Sequence, residues 1–155
     1  MRKDIIAGFS IMLLAGVLGA SVAMATTAVH RASGGGTVDW PLARVTYGFT
    51  AEIDADGVVT GEAEFQHRDL GVHNHVEITC LTVIGNDAWI GGVIRESNIP
   101  ELVGVQIVWR VQDNGEGTGN VDKTSIVVPN TTLGDCNLMP ALGLIPWTSG
   151  NVLVK

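Results

Sequence analysis

An all-β domain is what the sequence predicts: a single small antiparallel barrel of about eight strands, with a β-sandwich as the alternative. Three observations carry this expectation. Apolar residues recur with a period of two in run after run, the pattern of half-buried strands. Gly-, Asn- and Asp-containing turn pairs separate those runs. Beyond residue 25, no stretch of eleven or more residues keeps a clean 3.6-residue period. Glycines inside strands and the meander order of the hairpins favour a barrel over a sandwich, because closure needs sharp bends.

The chain begins with an export signature. Met1–Asp4 is a short charged start, and Ile5 to Ala25 then runs without a charge and ends in Ala23-Met24-Ala25. That small-x-small ending suits signal peptidase cleavage after Ala25. The apolar run is just long enough to span a bilayer as an uncleaved anchor. Its Gly-, Ala- and Ser-rich end, with no Arg or Lys directly after it, favours cleavage instead. Residues 1–25 are therefore expected to be a signal peptide. Residues 26–36, with Gly34-Gly35-Gly36, are expected to form a flexible leader. Residues 37–155 form the barrel domain, irregular at about 129–150. The expected destination is secreted or periplasmic.

The strands follow in order. Val38 to Trp40 makes a first short one. Arg44 to Ile53 puts Val45, Tyr47, Phe49, Ala51 and Ile53 on one face, and Asp54-Ala55-Asp56-Gly57 turns it. Val59 to Phe65 returns with Ala63 and Phe65 inward and Glu62 and Glu64 outward. His75 to Ile84 puts Val76, Ile78 and Cys80 on one face, and Gly85-Asn86 turns into Ala88 to Ile94, whose Gly91-Gly92 signals a bulge or bend. Val103 to Gln112 alternates through Val105, Ile107, Trp109 and Val111. Asp122 to Val128 and Asn151 to Lys155 complete the set. The large inward residues Tyr47, Phe49 and Trp109 predict a filled interior, whereas small inward residues would suit a carrier. Trp147, in a Pro-containing segment, is either a plug or an exposed ring that stacks on a ligand.

The charge balance excludes one class of function. Sixteen acidic residues against nine basic ones leave a net charge of −7. Scattered Lys and Arg cannot make the basic face that nucleic acid needs. Once residues 1–25 are removed, the acidity also keeps the chain off anionic membrane surfaces. Two cysteines in an exported chain, Cys80 and Cys136, allow one internal disulfide. The alternative is a buried Cys80 thiol and an exposed Cys136.

Four pieces taken together resemble a known family. These are GGGTV at 34–38, YGFTAEIDADGVVTGEAEF at 47–65, ITCLTVIGNDAWIGGVI at 78–94, and VQDNGEG at 111–117 with Asp122 beyond. In this order they are similar to a family of small secreted bacterial β-domains of unknown function, found alone or appended to larger exported proteins. The resemblance covers about residues 34–128. It implies an exported β-fold and carries no catalytic residues over.

Candidate sites are few. His67, His73 and His75 lie close in EFQHRDLGVHNH. On an extended segment His73 and His75 point to one side, about 6–7 Å apart. With His67 across a turn and Asp69 as a fourth ligand, the set would suit Zn²⁺ or Cu²⁺. The plainer reading is polar residues on an outer strand face. Asp113, Asn114, Glu116 and Asp122 form an oxygen-rich loop of a kind that suits Ca²⁺, although the spacing is not that of an EF-hand. The plainer reading is a turn in which Asp caps its own backbone. There is no nucleophile elbow, no H-E-x-x-H and no Ser/His/Asp set in context. The expectation is an exported, non-enzymatic binding or structural module without a cofactor. Its partner would be another exported protein or a small ligand. The alternatives are a carrier of a small apolar ligand in the barrel mouth and a metal-binding protein.

Overall fold

The computed structural model describes residues 28–40, 43–117, 119–129 and 135–155. The expected signal peptide lies outside the described residues. The fold is all-β, one antiparallel sheet curled around its core as an incomplete barrel. Its strands are β1 (Ala28–Asp39), β2 (Arg44–Asp54), β3 (Val59–His67), β4 (Val72–Ile84), β5 (Asp87–Ser97), β6 (Gln106–Gln112), β7 (Lys123–Ser125), β8 (Val128–Pro129), β9 (Leu144–Pro146) and β10 (Ser149–Val154). Seven of these ten segments have six residues or more. They pair in the order β10-β1-β2-β3-β4-β5-β6-β7-β9, with β8 also on β6. Only Trp147 and Thr148 separate β9 from β10, so one short segment links the two ends of the sheet. Trp147 N donates to Asp122 O at 2.9 Å, and Thr148 N donates to Thr37 O at 2.8 Å.

The interior is filled, as the large inward residues predict. Trp109 is fully buried and meets Phe49 and Phe65 edge-to-face, with centroids 6.2 and 5.1 Å apart. Tyr47 continues the stack, 5.0 Å from Phe65 and 5.6 Å from Trp147. Such pairs contribute roughly 0.5–1.5 kcal/mol each beyond the area they bury. Trp147 is therefore a plug, 5% exposed, and not a free stacking surface.

Gly34-Gly35-Gly36 is not a flexible leader. It lies inside β1, paired with β2 on one side and β10 on the other. Close approach explains the sequence: a Cβ on Gly36 would stand 2.5 Å from Trp147 Cε3 and 2.0 Å from Ser149 O. Glycine lets the indole lie directly on the strand.

Three strands differ from expectation because of bulges and turns. The β4–β5 register slips between Ile78 and Cys80, so Thr79 is an extra residue. The slip turns Cys80 to the outer face and gives its inward place to Leu81, 5% exposed. The Gly91-Gly92 signal marks the strand opposite this bulge. The long strand expected from Val103 starts only at Gln106, after a 3₁₀ turn at Pro100–Leu102. The strand expected over Asp122 to Val128 is split. Thr124 faces Val111 and Val128 faces Val108, which leaves one extra residue between them. Ser125 fills the gap by accepting Arg110 N on its hydroxyl at 2.8 Å.

Cys80 and Cys136 form a disulfide with Cα atoms 6.0 Å apart. It holds the 3₁₀ turn Cys136–Leu138 against the outer face of β4 and β5. A small second cluster of Trp89, Val108 and Cys136 is buried beneath it. Trp89 Nε1 donates to Pro140 O at 3.1 Å, and the Arg110 guanidinium lies 4.7 Å over the Trp89 ring. Gly91 makes the crossing possible, since a Cβ there would stand 3.2 Å from Cys80 Cβ.

Candidate functional site

The three histidines do not converge. On β3, His67 has the parity of Ala63 and Phe65, which are buried. On β4, His73 and His75 alternate with the buried Asn74 and Val76, so they face outward. The sheet itself stands between the two sets. His73 Nε2 lies 3.9 Å from Glu64 Oε2, and His75 Nε2 lies 3.9 Å from Glu62 Oε2, both on the outer surface. Asp69 turns away to accept Arg44 N at 2.7 Å. Among the described residues no group of three or more His, Cys, Asp or Glu side chains is placed to hold a metal ion.

The oxygen-rich loop is also committed elsewhere. Asp122 Oδ1 accepts Asn114 N at 2.8 Å, and its Oδ2 accepts Val152 N at 2.6 Å. Asp113 Oδ1 accepts Gly115 N at 2.8 Å, and its Oδ2 accepts Val154 N at 2.9 Å. Asn114 Nδ2 donates to Val121 O at 2.6 Å, and Glu116 is exposed, offering its backbone carbonyl to Asn120. All four oxygens of the two aspartates thus hold backbone N–H groups. Val152 and Val154 belong to β10, and their N–H groups point away from β1. The loop acts as a substitute for a neighbouring strand.

The feature best suited to a ligand is an apolar recess of about 590 Å³ at one end of the barrel. Its wall comes from separate parts of the chain. Trp40 and Ala43 flank the β1–β2 turn, and Val45 and Tyr47 are inward residues of β2. The β3–β4 end contributes His67 and Leu70. The irregularity between β7 and β8 supplies Ile126 and Val127, and β9 supplies Ile145. Leu70 and Ile126 are 65% and 46% exposed, so the rim presents apolar side chains to water. Recesses of this size and character are the usual form of a small-molecule site.

Among the described residues two polar side chains interrupt the apolar wall. Tyr47 Oη accepts Trp40 Nε1 at 3.2 Å. Burial pushes the Tyr47 phenol up to about 12, against the smaller opposing effect of the Trp40 hydrogen bond. Burial also lowers the His67 pKa below the ordinary histidine value, which keeps its imidazole neutral at pH 7. The sequence pattern puts Tyr47 in the core and His67 in a metal set. The parity of His67 with Phe65 was the available signal that it faces inward.

A second depression, about 370 Å³, lies on the outer face over Gly34, Gly48, Glu62, Glu64 and His75. Nothing stands within 4 Å of where a Gly48 Cβ would be, so its floor is bare backbone. It is an open dent whose lining is as much apolar as polar, with Phe49 and Ala63 beside the acidic and histidine side chains. The chain matches no known protein family, no characterised protein and no solved structure.

Proposed function

We propose that this protein is an exported, non-enzymatic binding domain whose working surface is the apolar recess at the end of the barrel, and that the recess takes a small apolar ligand. The observation that carries this reading is the recess lining, which among the described residues is apolar but for Tyr47 and His67 and is rimmed by exposed Leu70 and Ile126. The filled interior favours a ligand held at the mouth and not deep in the barrel. Export is supported by the signal-peptide anatomy of residues 1–25 and by the disulfide, which suits an oxidising compartment. Among the described residues no helix is long and apolar enough to cross a membrane. The same reading takes in the resemblance to small secreted bacterial β-domains.

Native mass spectrometry of the chain purified from its exported form tests this. The expected species is residues 26–155 less two hydrogens, and it gains mass with a neutral apolar probe such as N-phenyl-1-naphthylamine. An uncleaved chain in the membrane fraction overturns cleavage after Ala25, and a chain that stays in the cytoplasm with Cys80 and Cys136 reduced overturns export. Failure to take up the probe overturns the recess as a binding site.

A further inference from the structure

We infer that the recess selects an uncharged aromatic ligand that presents one hydrogen-bond acceptor to the Tyr47 hydroxyl. This inference rests on the recess being the binding site, and it specifies what that site prefers.

Tyr47 Oη uses a lone pair to accept Trp40 Nε1, and among the described residues no acceptor takes its own proton. The phenol is 4% exposed and stays protonated far beyond neutral pH. Tyr47 lies on the recess wall, so its hydroxyl proton is available to a ligand carbonyl or ether oxygen. Among the described residues the recess offers no cation to an anion. Arg44 is turned outward onto Asp39 at 2.7 Å, and Arg68 is turned onto Thr46 Oγ1 at 3.1 Å. His67 is neutral because of its burial. The net charge of −7 adds a repulsive field for any anion. The Trp40 and Tyr47 rings on the wall suit a flat partner, since aromatic pairs gain from offset or edge contacts.

Three matched probes test the inference by equilibrium dialysis: 2-acetylnaphthalene with an acceptor, 2-ethylnaphthalene without one, and 2-naphthoate with a charge. The acetyl compound is expected to bind roughly three- to tenfold more tightly than the ethyl compound, the range one net hydrogen bond supplies. Naphthoate is expected to bind most weakly. Tyr47→Phe should abolish the preference, so that the acetyl compound no longer binds more tightly than the ethyl compound. Ile126→Trp, at an exposed rim position, should weaken all three by filling the opening.

If no probe binds the wild-type protein, or if Ile126→Trp binds them all as before, the recess reading itself fails. If the probes bind in the recess but acetyl and ethyl are equal, or naphthoate is tightest, the inferred selectivity is overturned and the recess reading stands. The wild-type comparison decides the point even if Tyr47→Phe does not fold.

Discussion

Asp122 accepts the backbone N–H of Val152 on Oδ2 at 2.6 Å, across thirty residues of sequence. The carboxylate is 5% exposed, and its other oxygen holds Asn114 N. With Asp113 on Val154, it closes the edge of β10 that faces away from β1. This joins the last strand to the β6–β7 loop without a further strand.

Removing that carboxylate should therefore destabilise the whole domain. Hydrogen bonds to charged groups contribute about 1.5–3 kcal/mol each, and leaving the buried donors unpaired adds to the loss. Asp122→Ala is expected to cost about 3 kcal/mol on that basis, read as a lower urea midpoint with an unchanged slope. Asp122→Asn, which keeps one acceptor oxygen, should cost less. If the alanine variant unfolds at the wild-type midpoint, the aspartate does not hold the seam. The same geometry predicts that the melting temperature is equal in EDTA and in millimolar calcium, since the aspartate oxygens already hold N–H groups.

The Cys80–Cys136 bridge encloses 56 residues of sequence separation. Chain-entropy reasoning makes a loop of that size worth about 4 kcal/mol. The double variant Cys80→Ala, Cys136→Ala should lose stability of that order, measured by denaturant unfolding. The change should also reach Trp89, because the turn that carries Cys136 leads to the Pro140 carbonyl that Trp89 Nε1 donates to. A red shift in tryptophan emission in the folded variant is the expected sign. Unchanged stability would mean that the segment following β8 is held by other contacts.

Sequence showed the parts of this fold where the two faces of a strand differ in polarity. On β2 and β3, Tyr47, Phe49 and Phe65 alternate with Thr46, Glu62 and Glu64, so both register and facing were legible. Ala28 to Gly36 was not, because Gly and Ser carry no facing signal. Their role depends on Trp147, more than a hundred residues away. The slip at Thr79 was hidden because Cys80 is at home on either face, and the one at Ser125–Val127 because Ile126 and Val127 are apolar on both sides of it. The recess escaped for a different reason: its wall is assembled from five regions with no shared motif. The histidines failed as a metal set on parity alone, since 67 is odd on an inward-odd strand and 73 and 75 are odd on a strand whose even positions face inward at that end.

Tyr47 offers a direct optical test of burial, because it is the single tyrosine in the chain. Its phenol is pushed up from 10.0 to about 12 by desolvation. Phenolate absorbance near 295 nm should therefore rise with a midpoint near 12 in the native protein and near 10 once it is unfolded in guanidinium. The sign for stability follows from the same shift. The folded state keeps a proton that the unfolded state loses first, so this contribution is complete below pH 10 and is lost as the pH climbs toward 12. A native midpoint near 10 would place the hydroxyl in water and remove it from the recess wall.

His67 gives the opposite dependence at the acidic side. The unfolded chain binds its proton near 6.5, while burial makes the folded chain bind it only at a lower pH. Between those two values the unfolded state holds more protons, so stability falls as the pH drops below 6.5 and levels off once the folded imidazole is also protonated. Above 6.5 the group contributes no slope. Urea midpoints from pH 8 to pH 5 should show this decline in the wild-type protein and a shallower one in His67→Gln, which keeps a polar side chain of similar length without the titration. His73 and His75 are present in both proteins, so the difference between the two curves isolates His67. Parallel curves would mean that His67 is solvated in the folded state, and the recess would then begin beyond it, at Tyr47 and Trp40.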